Sequence, residues 1–208
     1  MSPLHCVRGA LPAARCERWR AAFDPAQEGP RPATHWPVPA AEVLDLVAHS
    51  AIAPLLRQAL GARPLCRLDF SHARHGRPAH FWHQDGALRH DFFSAPADSA
   101  LIEMRTLWIA LSACGVDAPS LEWVATSTPR LLLPGELGDD AVAARFGRAE
   151  RQHALMQAGD ALLFDGSLLH RTHSTPAMTQ PRTSLELRFF RAASQHPRLG
   201  AGPTLSLP

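Results

Sequence analysis

From residue 65 onward the chain is a succession of short apolar runs separated by turn residues, and this spacing limits the folds open to it. The runs are Leu65 to Phe70, His80 to Gln84, Thr106 to Leu111, Leu121 to Ala125, Ala161 to Phe164 and Ser184 to Phe190. Each has the length of a strand and is too short for a core helix. Ahead of them Ala14 to Phe23 reads as an arginine-rich helix, followed by a proline-rich connector from Asp24 to Pro39. Ala40 to Leu60 reads as one longer helix, with Val43, Leu44, Val47, Leu55, Leu56 and Leu60 as its apolar stripe and Gly61 at its end. This order predicts a mainly β fold with flanking N-terminal helices, and the strand spacing suits a jelly roll. A length of 208 residues predicts one domain, with a helical part over 1–62, a β-helix core over 63–193 and a loose tail over 194–208. The interval 127–158, punctuated by Pro129, Pro134, Gly135 and Gly138, is expected to form a lid or surface excursion over the barrel mouth.

Composition removes several function classes. The net charge is only +2, and the arginines are scattered rather than gathered into a patch that would track phosphates, so nucleic acid is not an expected partner. The chain has no lysine, which excludes Schiff-base chemistry and leaves arginine as the permanent side-chain cation. Lysine, asparagine and tyrosine are all absent while alanine, proline, arginine and leucine abound, a bias read as GC-rich bacterial coding. Cys6, Cys16, Cys66 and Cys114 include no Cys-x-x-Cys, so a zinc ribbon and a dithiol redox motif are excluded and reduced cytosolic thiols are expected. Arginines and Glu17 interrupt the N-terminus, and no later run is long enough to span a bilayer, so a cytoplasmic protein without membrane contact is expected.

The chemistry concentrates around His83-Gln84-Asp85. On a strand, alternate side chains share a face, which would put the His83 imidazole and the Asp85 carboxylate together. A third donor is available downstream, where Gly159-Asp160 leads into an apolar strand and Gly166-Ser167-Leu168-Leu169-His170 follows. His173 competes for this place, and the preceding Gly-Asp strand favours His170. Two histidines and one aspartate cover one face of an octahedral ion and leave the opposite positions open, the donor set of non-haem Fe(II) oxygenases. Such an enzyme that consumes 2-oxoglutarate must also hold a distal carboxylate, and Arg182 is placed to do so, with Ser184 on the same strand face. Arg188 projects from that face too. Ser184 beside Arg182 favours the latter, and Arg188 is expected to pair with Glu186 or solvent. The neighbouring His80 is expected at the surface or behind the metal site, and Arg67, Arg89 and Arg105 are as readily solvated surface groups as contacts for an anion.

Together, His-Gln-Asp-Gly, Leu107-Trp108-Ile109-Ala110-Leu111, Gly115-Val116-Asp117-Ala118-Pro119-Ser120-Leu121-Glu122, the Gly-Asp strand to His170 and Arg182-x-Ser184 resemble the phytanoyl-CoA dioxygenase (PhyH)-like family, over about Leu65 to Phe190. The resemblance implies a double-stranded β-helix (jelly roll, cupin-like) binding Fe(II) through His83, Asp85 and His170 and 2-oxoglutarate through Arg182, with Trp108 and Thr172 lining the co-substrate pocket. It implies that 2-oxoglutarate and O2 are converted to succinate and carbon dioxide as a C–H bond is hydroxylated. Desaturation, ring closure and epoxidation use the same ligands. Asp85 argues against halogenation, because related halogenases carry a small residue in its place. The Pro-Gly-Ser-His common in relatives reads Ala125-Thr126-Ser127-Thr128 here. The short chain points to a small metabolite or natural-product intermediate rather than a bulky acyl-CoA. The rival readings are a cupin-like metalloenzyme that does not use 2-oxoglutarate and a catalytically silent β-helix module.

Overall fold

The apolar runs pair into two antiparallel sheets. The computed structural model describes residues 4–24, 26–77, 79–93, 100–126, 128–194 and 196–208. Among these the strands are β1 (Leu4–Val7), β2 (Gly29–Pro32), β3 (Leu65–Gly76), β4 (Arg105–Ala110), β5 (Ser120–Val124), β6 (Arg151–His153), β7 (Ala161–Asp165), β8 (His170–His173), β9 (Arg182–Phe190) and β10 (Thr204–Ser206). The helices are α1 (Ala13–Ala22), α2 (Ala40–Ala48), α3 (Ile52–Leu60) and α4 (Asp139–Arg145). The larger sheet has the order β1-β7-β4-β9-β3-β10, with β2 also on β3, and the smaller is β6-β5-β8. The result is the double-stranded β-helix.

Strand alternation divides the large sheet into two chemistries. One face carries Leu107, Ile109, Leu163, Leu185, Leu187 and Phe189, buried against Trp19, Val43, Leu44, Val47, Ile52 and Leu56 of the helices. The other turns Trp108, Leu162 and Phe164 towards Leu121 of the small sheet. Every residue of β9 is buried, so Arg182, Ser184, Glu186 and Arg188 are held inside the protein opposite Leu185 and Leu187. No single helix is long and apolar enough to cross a membrane.

Several local expectations are corrected. The stretch from Ala40 to Leu60 is two helices bent by 93°. Ser50 Oγ donates to the Val47 carbonyl at 2.7 Å and accepts from the Ile52 amide at 3.1 Å, turning the chain. Pro54, which has no amide hydrogen to donate to the Ser50 carbonyl, then falls in the first turn of α3, where that loss is harmless. The region before residue 62 is not only helical: β1 pairs with β7, and β2 pairs with β3 despite Pro30 and Pro32, which an edge strand tolerates. The run from His80 to Gln84 is no strand; only His83 makes a bridge, to His170. The expected lid, from residue 128 on, contributes β6 to the small sheet and packs Leu132, Val142 and Phe146 on Trp82, Val124 and Leu169. Arg67 is buried rather than solvated, ion-paired to Asp69 at 2.8 Å and donating to the Leu199 carbonyl at 3.0 Å.

The tail is docked, not loose. Thr204, Leu205 and Ser206 pair with Arg67, Cys66 and Leu65, and the Leu207 amide donates to the Pro64 carbonyl at 2.9 Å. Leu207 is 3% exposed and joins the core under the helices. The Leu207→Ala variant should therefore lose roughly 2–4 kcal/mol. A melting curve should show Tm falling by roughly 5–15 °C; an unchanged Tm would restore the loose tail.

Candidate metal centre

His83 and His170 face each other because their backbones do. The His83 amide donates to the His170 carbonyl at 2.9 Å and the His170 amide returns the bond at 3.0 Å. The rings stand 4.1 Å apart. Each Nδ1 is paired with a carbonyl two residues back, His83 with Phe81 at 2.8 Å and His170 with Leu168 at 2.9 Å. Donation to those carbonyls puts the ring hydrogen on Nδ1 and leaves each Nε2 as an unprotonated donor atom.

Both Nε2 atoms point to Asp85 Oδ1, at 3.6 Å from His83 and 3.9 Å from His170. The three donor atoms lie within 4.8 Å of one another, which suits one ion. Gln84 has an extended backbone, so Asp85 shares the side of His83 without a regular strand. The Gln84 side chain goes the other way and pins the loop. Its amide group donates to the Thr128, Arg130 and Ser167 carbonyls, each at 3.0 Å, and its Oε1 accepts from the Leu132 amide at 2.8 Å. Thr128, in the stretch that departs from the family's Pro-Gly-Ser-His, thus anchors the metal loop; Ser127 lies outside the described residues. Gly86 comes next because the Gly86 amide donates to the Gly166 carbonyl at 2.8 Å. A Cβ on Gly86 would lie 2.9 Å from that oxygen, and one on Gly166 would lie 2.8 Å from Met104.

Asp85 is held at both oxygens. Thr106 Oγ1 donates to Oδ2 at 2.5 Å and Arg188 Nη2 donates to Oδ1 at 2.7 Å. Burial is the largest single influence and would raise this carboxyl, but the Arg188 guanidinium together with His170 and His83 outweighs it and holds Asp85 well below the usual carboxylate range. Arg188 therefore pairs with Asp85 at 2.7 Å and also with Glu186 at 3.6 Å, so the expected Glu186 partner is present and Asp85 is the partner not foreseen. For His170 burial dominates and pushes the ring down to about 3, so it is neutral at any pH near 7. His80 packs its ring 4.4 Å from that of His83 and is likewise pushed down, mainly by burial, to about 4. His173 is elsewhere, stacked on His153 at 4.4 Å and 3.8 Å from Glu122.

A cavity opens beside the triad, and its lining includes Trp108, Leu121, Phe164, Thr172, Arg182 and Glu186. Arg182 is buried, with Nη1 donating to the Ser120 carbonyl at 2.9 Å and its guanidinium 5.7 Å over the Trp108 ring. Burial lowers its pKa, with Glu186 partly opposing. Among the described residues Trp108 Nε1 and Ser184 Oγ are buried without a hydrogen-bond partner. Ser184 is fully buried behind the lining, while Trp108, Thr172 and Arg182 reach it. Glu186 is the unforeseen member. Burial opposes its charge, but Arg74 at 2.8 Å, with Arg188 and Arg182, holds its carboxyl down to about 2. The alternation of β9 was the available signal for Glu186 and Arg188, since both share the parity of Arg182.

The fold has relatives among solved structures. EctD from S. alaskensis, solved with 2-oxoglutarate and 5-hydroxyectoine, is 16% identical with a TM-score of 0.68, over 92% of this chain and 73% of that one. The non-haem α-ketoglutarate-dependent epimerase SnoN of nogalamycin biosynthesis is 19% identical with a TM-score of 0.61, over 92% of this chain and 79% of that one. The carbocyclase SnoK of the same biosynthesis is 17% identical with a TM-score of 0.60, over 98% of this chain and 89% of that one. At these identities the likeness establishes the fold. No protein of curated function matches the chain in sequence. Residues 4–180 match the phytanoyl-CoA dioxygenase (PhyH) family, and with that span covering most of its length the chain belongs to this family.

Proposed function

We propose that the protein is a non-haem Fe(II)- and 2-oxoglutarate-dependent oxygenase that hydroxylates a C–H bond of a small molecule. The observation that carries this reading is the convergence of His83 Nε2, Asp85 Oδ1 and His170 Nε2 beside a buried cavity holding Arg182. The donor set fits the metal: two neutral imidazoles with Nδ1 engaged, and one carboxylate whose second oxygen is occupied by Thr106. EctD was crystallised with 2-oxoglutarate, and SnoN and SnoK are described as α-ketoglutarate-dependent, which favours the same co-substrate here. Iron(II) bound with 2-oxoglutarate and O2 supplies an oxidant strong enough to take hydrogen from an unactivated C–H bond, with release of succinate and carbon dioxide.

The chain's own residues do the rest. His83, Asp85 and His170 would hold the ion. Arg182 presents its guanidinium to the distal carboxylate of 2-oxoglutarate, and Trp108 and Thr172 line the pocket beside it. Trp108, Leu121 and Phe164 keep water from that pocket. The pose of the substrate selects hydroxylation, and an epimerase and a carbocyclase on the same fold mark the alternatives that another pose would give.

Anaerobic titration of apo-protein with Fe(II) and then 2-oxoglutarate tests this through the visible charge-transfer band of the chelate. Wild type should develop the band and His83→Ala should not. Arg182→Ala should need at least about tenfold more 2-oxoglutarate, the worth of a lost charge-assisted hydrogen bond. Iron-loaded wild type without a band would overturn the co-substrate and leave the other cupin chemistry or the silent module.

A further inference from the structure

A second cavity reaches His83 and Asp85 of the triad without touching Arg182. The two share Arg74, His80, His83 and Asp85, but the lining of the second adds His72, Gln84 and Arg188 and excludes Arg182, Trp108 and Thr172. Its walls are Ala87, Leu88, Phe92, Leu132 and Leu137, an apolar surface at the edge of the candidate iron site. Two of its polar lining residues carry buried atoms that lack a hydrogen-bond partner among the described residues: His72 Nδ1, Arg188 Nε and Arg188 Nη1. Arg188 is 6% exposed, and Nη1 has an ion pair to Glu186 at 3.6 Å, longer than a hydrogen bond. Guanidinium nitrogens only donate, so whatever satisfies them must offer acceptor oxygens. Unpartnered buried donors are costly, and a ligand acceptor removes that cost.

The charges point the same way. Arg74, Arg182 and Arg188 face Asp85 and Glu186 around the two cavities, three guanidiniums against two carboxylates. Arg171, the other arginine at the first cavity, is already paired with Glu122 and Asp139. A divalent ion and doubly charged 2-oxoglutarate cancel, so the loaded centre keeps one positive charge away from bulk water. A monoanion neutralises it; a cation or a neutral molecule does not.

We infer that the substrate is a small monocarboxylic acid with an apolar body, its carboxylate on His72 and Arg188 and its body against Leu88, Phe92, Leu132 and Leu137. This rests on the oxygenase reading, which makes the first cavity the place of 2-oxoglutarate. It also sets where oxidation falls: the anchored end lies beside Asp85, so a carbon close to the carboxylate faces the iron position.

The test uses the anaerobic Fe(II)·2-oxoglutarate complex at saturating co-substrate and equilibrium dialysis against a panel of aromatic and branched aliphatic monocarboxylic acids, each matched with its primary amide. Acids should bind at least about tenfold more tightly than their amides, and His72→Ala should erase most of that preference without changing the 2-oxoglutarate half-saturation. Equal affinity for acid and amide, no binding by any acid, or acids that bind only by displacing 2-oxoglutarate would each overturn the assignment. A complex that never forms its band fails the oxygenase reading instead, so the two failures are distinguishable.

Discussion

His170→Ala should remove iron binding, with affinity falling by well over a hundredfold. Outer partners of metal ligands alone are worth about 10–100-fold, and a donor removed from a three-residue set exceeds that. The effect is concentrated at His170 because the ring is fixed on every side. Its Nδ1 is tied to Leu168, its faces meet His83 and Phe164 at 4.1 and 4.9 Å, and only Nε2 is open. Water filling the space left by alanine would lack that orientation. Calorimetric or spectroscopic Fe(II) titration reads the loss directly, and binding within tenfold of wild type would remove His170 from the ligand set. The same variant should show a changed acid response in the apo state. A histidine ordinarily titrating near 6.5 but held down to about 3 takes up its proton more readily unfolded than folded. Its stabilising contribution is complete above about pH 6.5 and drains away as the pH falls towards 3, so apo His170→Ala should lose less stability than wild type across that window.

Arg188→Met should be the most destabilising substitution at the centre while the metal is absent. It leaves the Asp85 carboxylate buried with its main counter-charge gone, a break that costs on the order of 3–5 kcal/mol. At this chain length that corresponds to a Tm lower by roughly 6–20 °C. A bound divalent ion replaces the missing positive charge, so the deficit should shrink when Fe(II), or Zn(II) as a redox-inert substitute, is added. The pH dependence carries a defined sign. Asp85 held below its ordinary 3.8 stabilises the wild-type fold above that pH and stops doing so as the pH falls. The wild-type advantage over Arg188→Met should therefore narrow in acid below about pH 4. An equal Tm deficit with and without metal would mean that Arg188 supports packing alone.

The convergence of the three metal-type donors was legible because each is announced by local sequence: His83 and Asp85 by their spacing, His170 by the turn after an apolar strand; alternation likewise put Arg182 and Ser184 on one face, where Arg182 reaches the cavity and Ser184 stays behind it. Their support was not. Arg188 and Asp85 are 103 residues apart in sequence, and no local period connects β9 to a loop beyond β3. The strand reading of His80 to Gln84 placed His83 and Asp85 on one side for a narrower reason than expected, since one extended residue suffices. Gln84 looked like a spacer, yet it fastens the loop to Thr128, Arg130, Leu132 and Ser167. Gly29–Pro32 reads as connector, and only the unpaired flank of β3 makes it a strand. The break at Ser50 was visible in Pro54, but the continuous apolar stripe masked it.

The alternation of β9 also says how this enzyme can change. Even-numbered positions from 182 to 188 bear guanidinium, hydroxyl and carboxylate groups, while Thr183, Leu185, Leu187 and Phe189 occupy the odd ones and the three apolar residues among them sit in the helix-covered core. Selection for a new substrate can therefore act on one parity while the other preserves the fold. A library randomised at 186 and 188 should yield folded proteins only among members that keep a counter-charge for Asp85 and for Arg74, whereas one randomised at 185 and 187 should yield few folded proteins at all. A single-residue deletion within the strand would exchange the two sets and sacrifice chemistry and folding together.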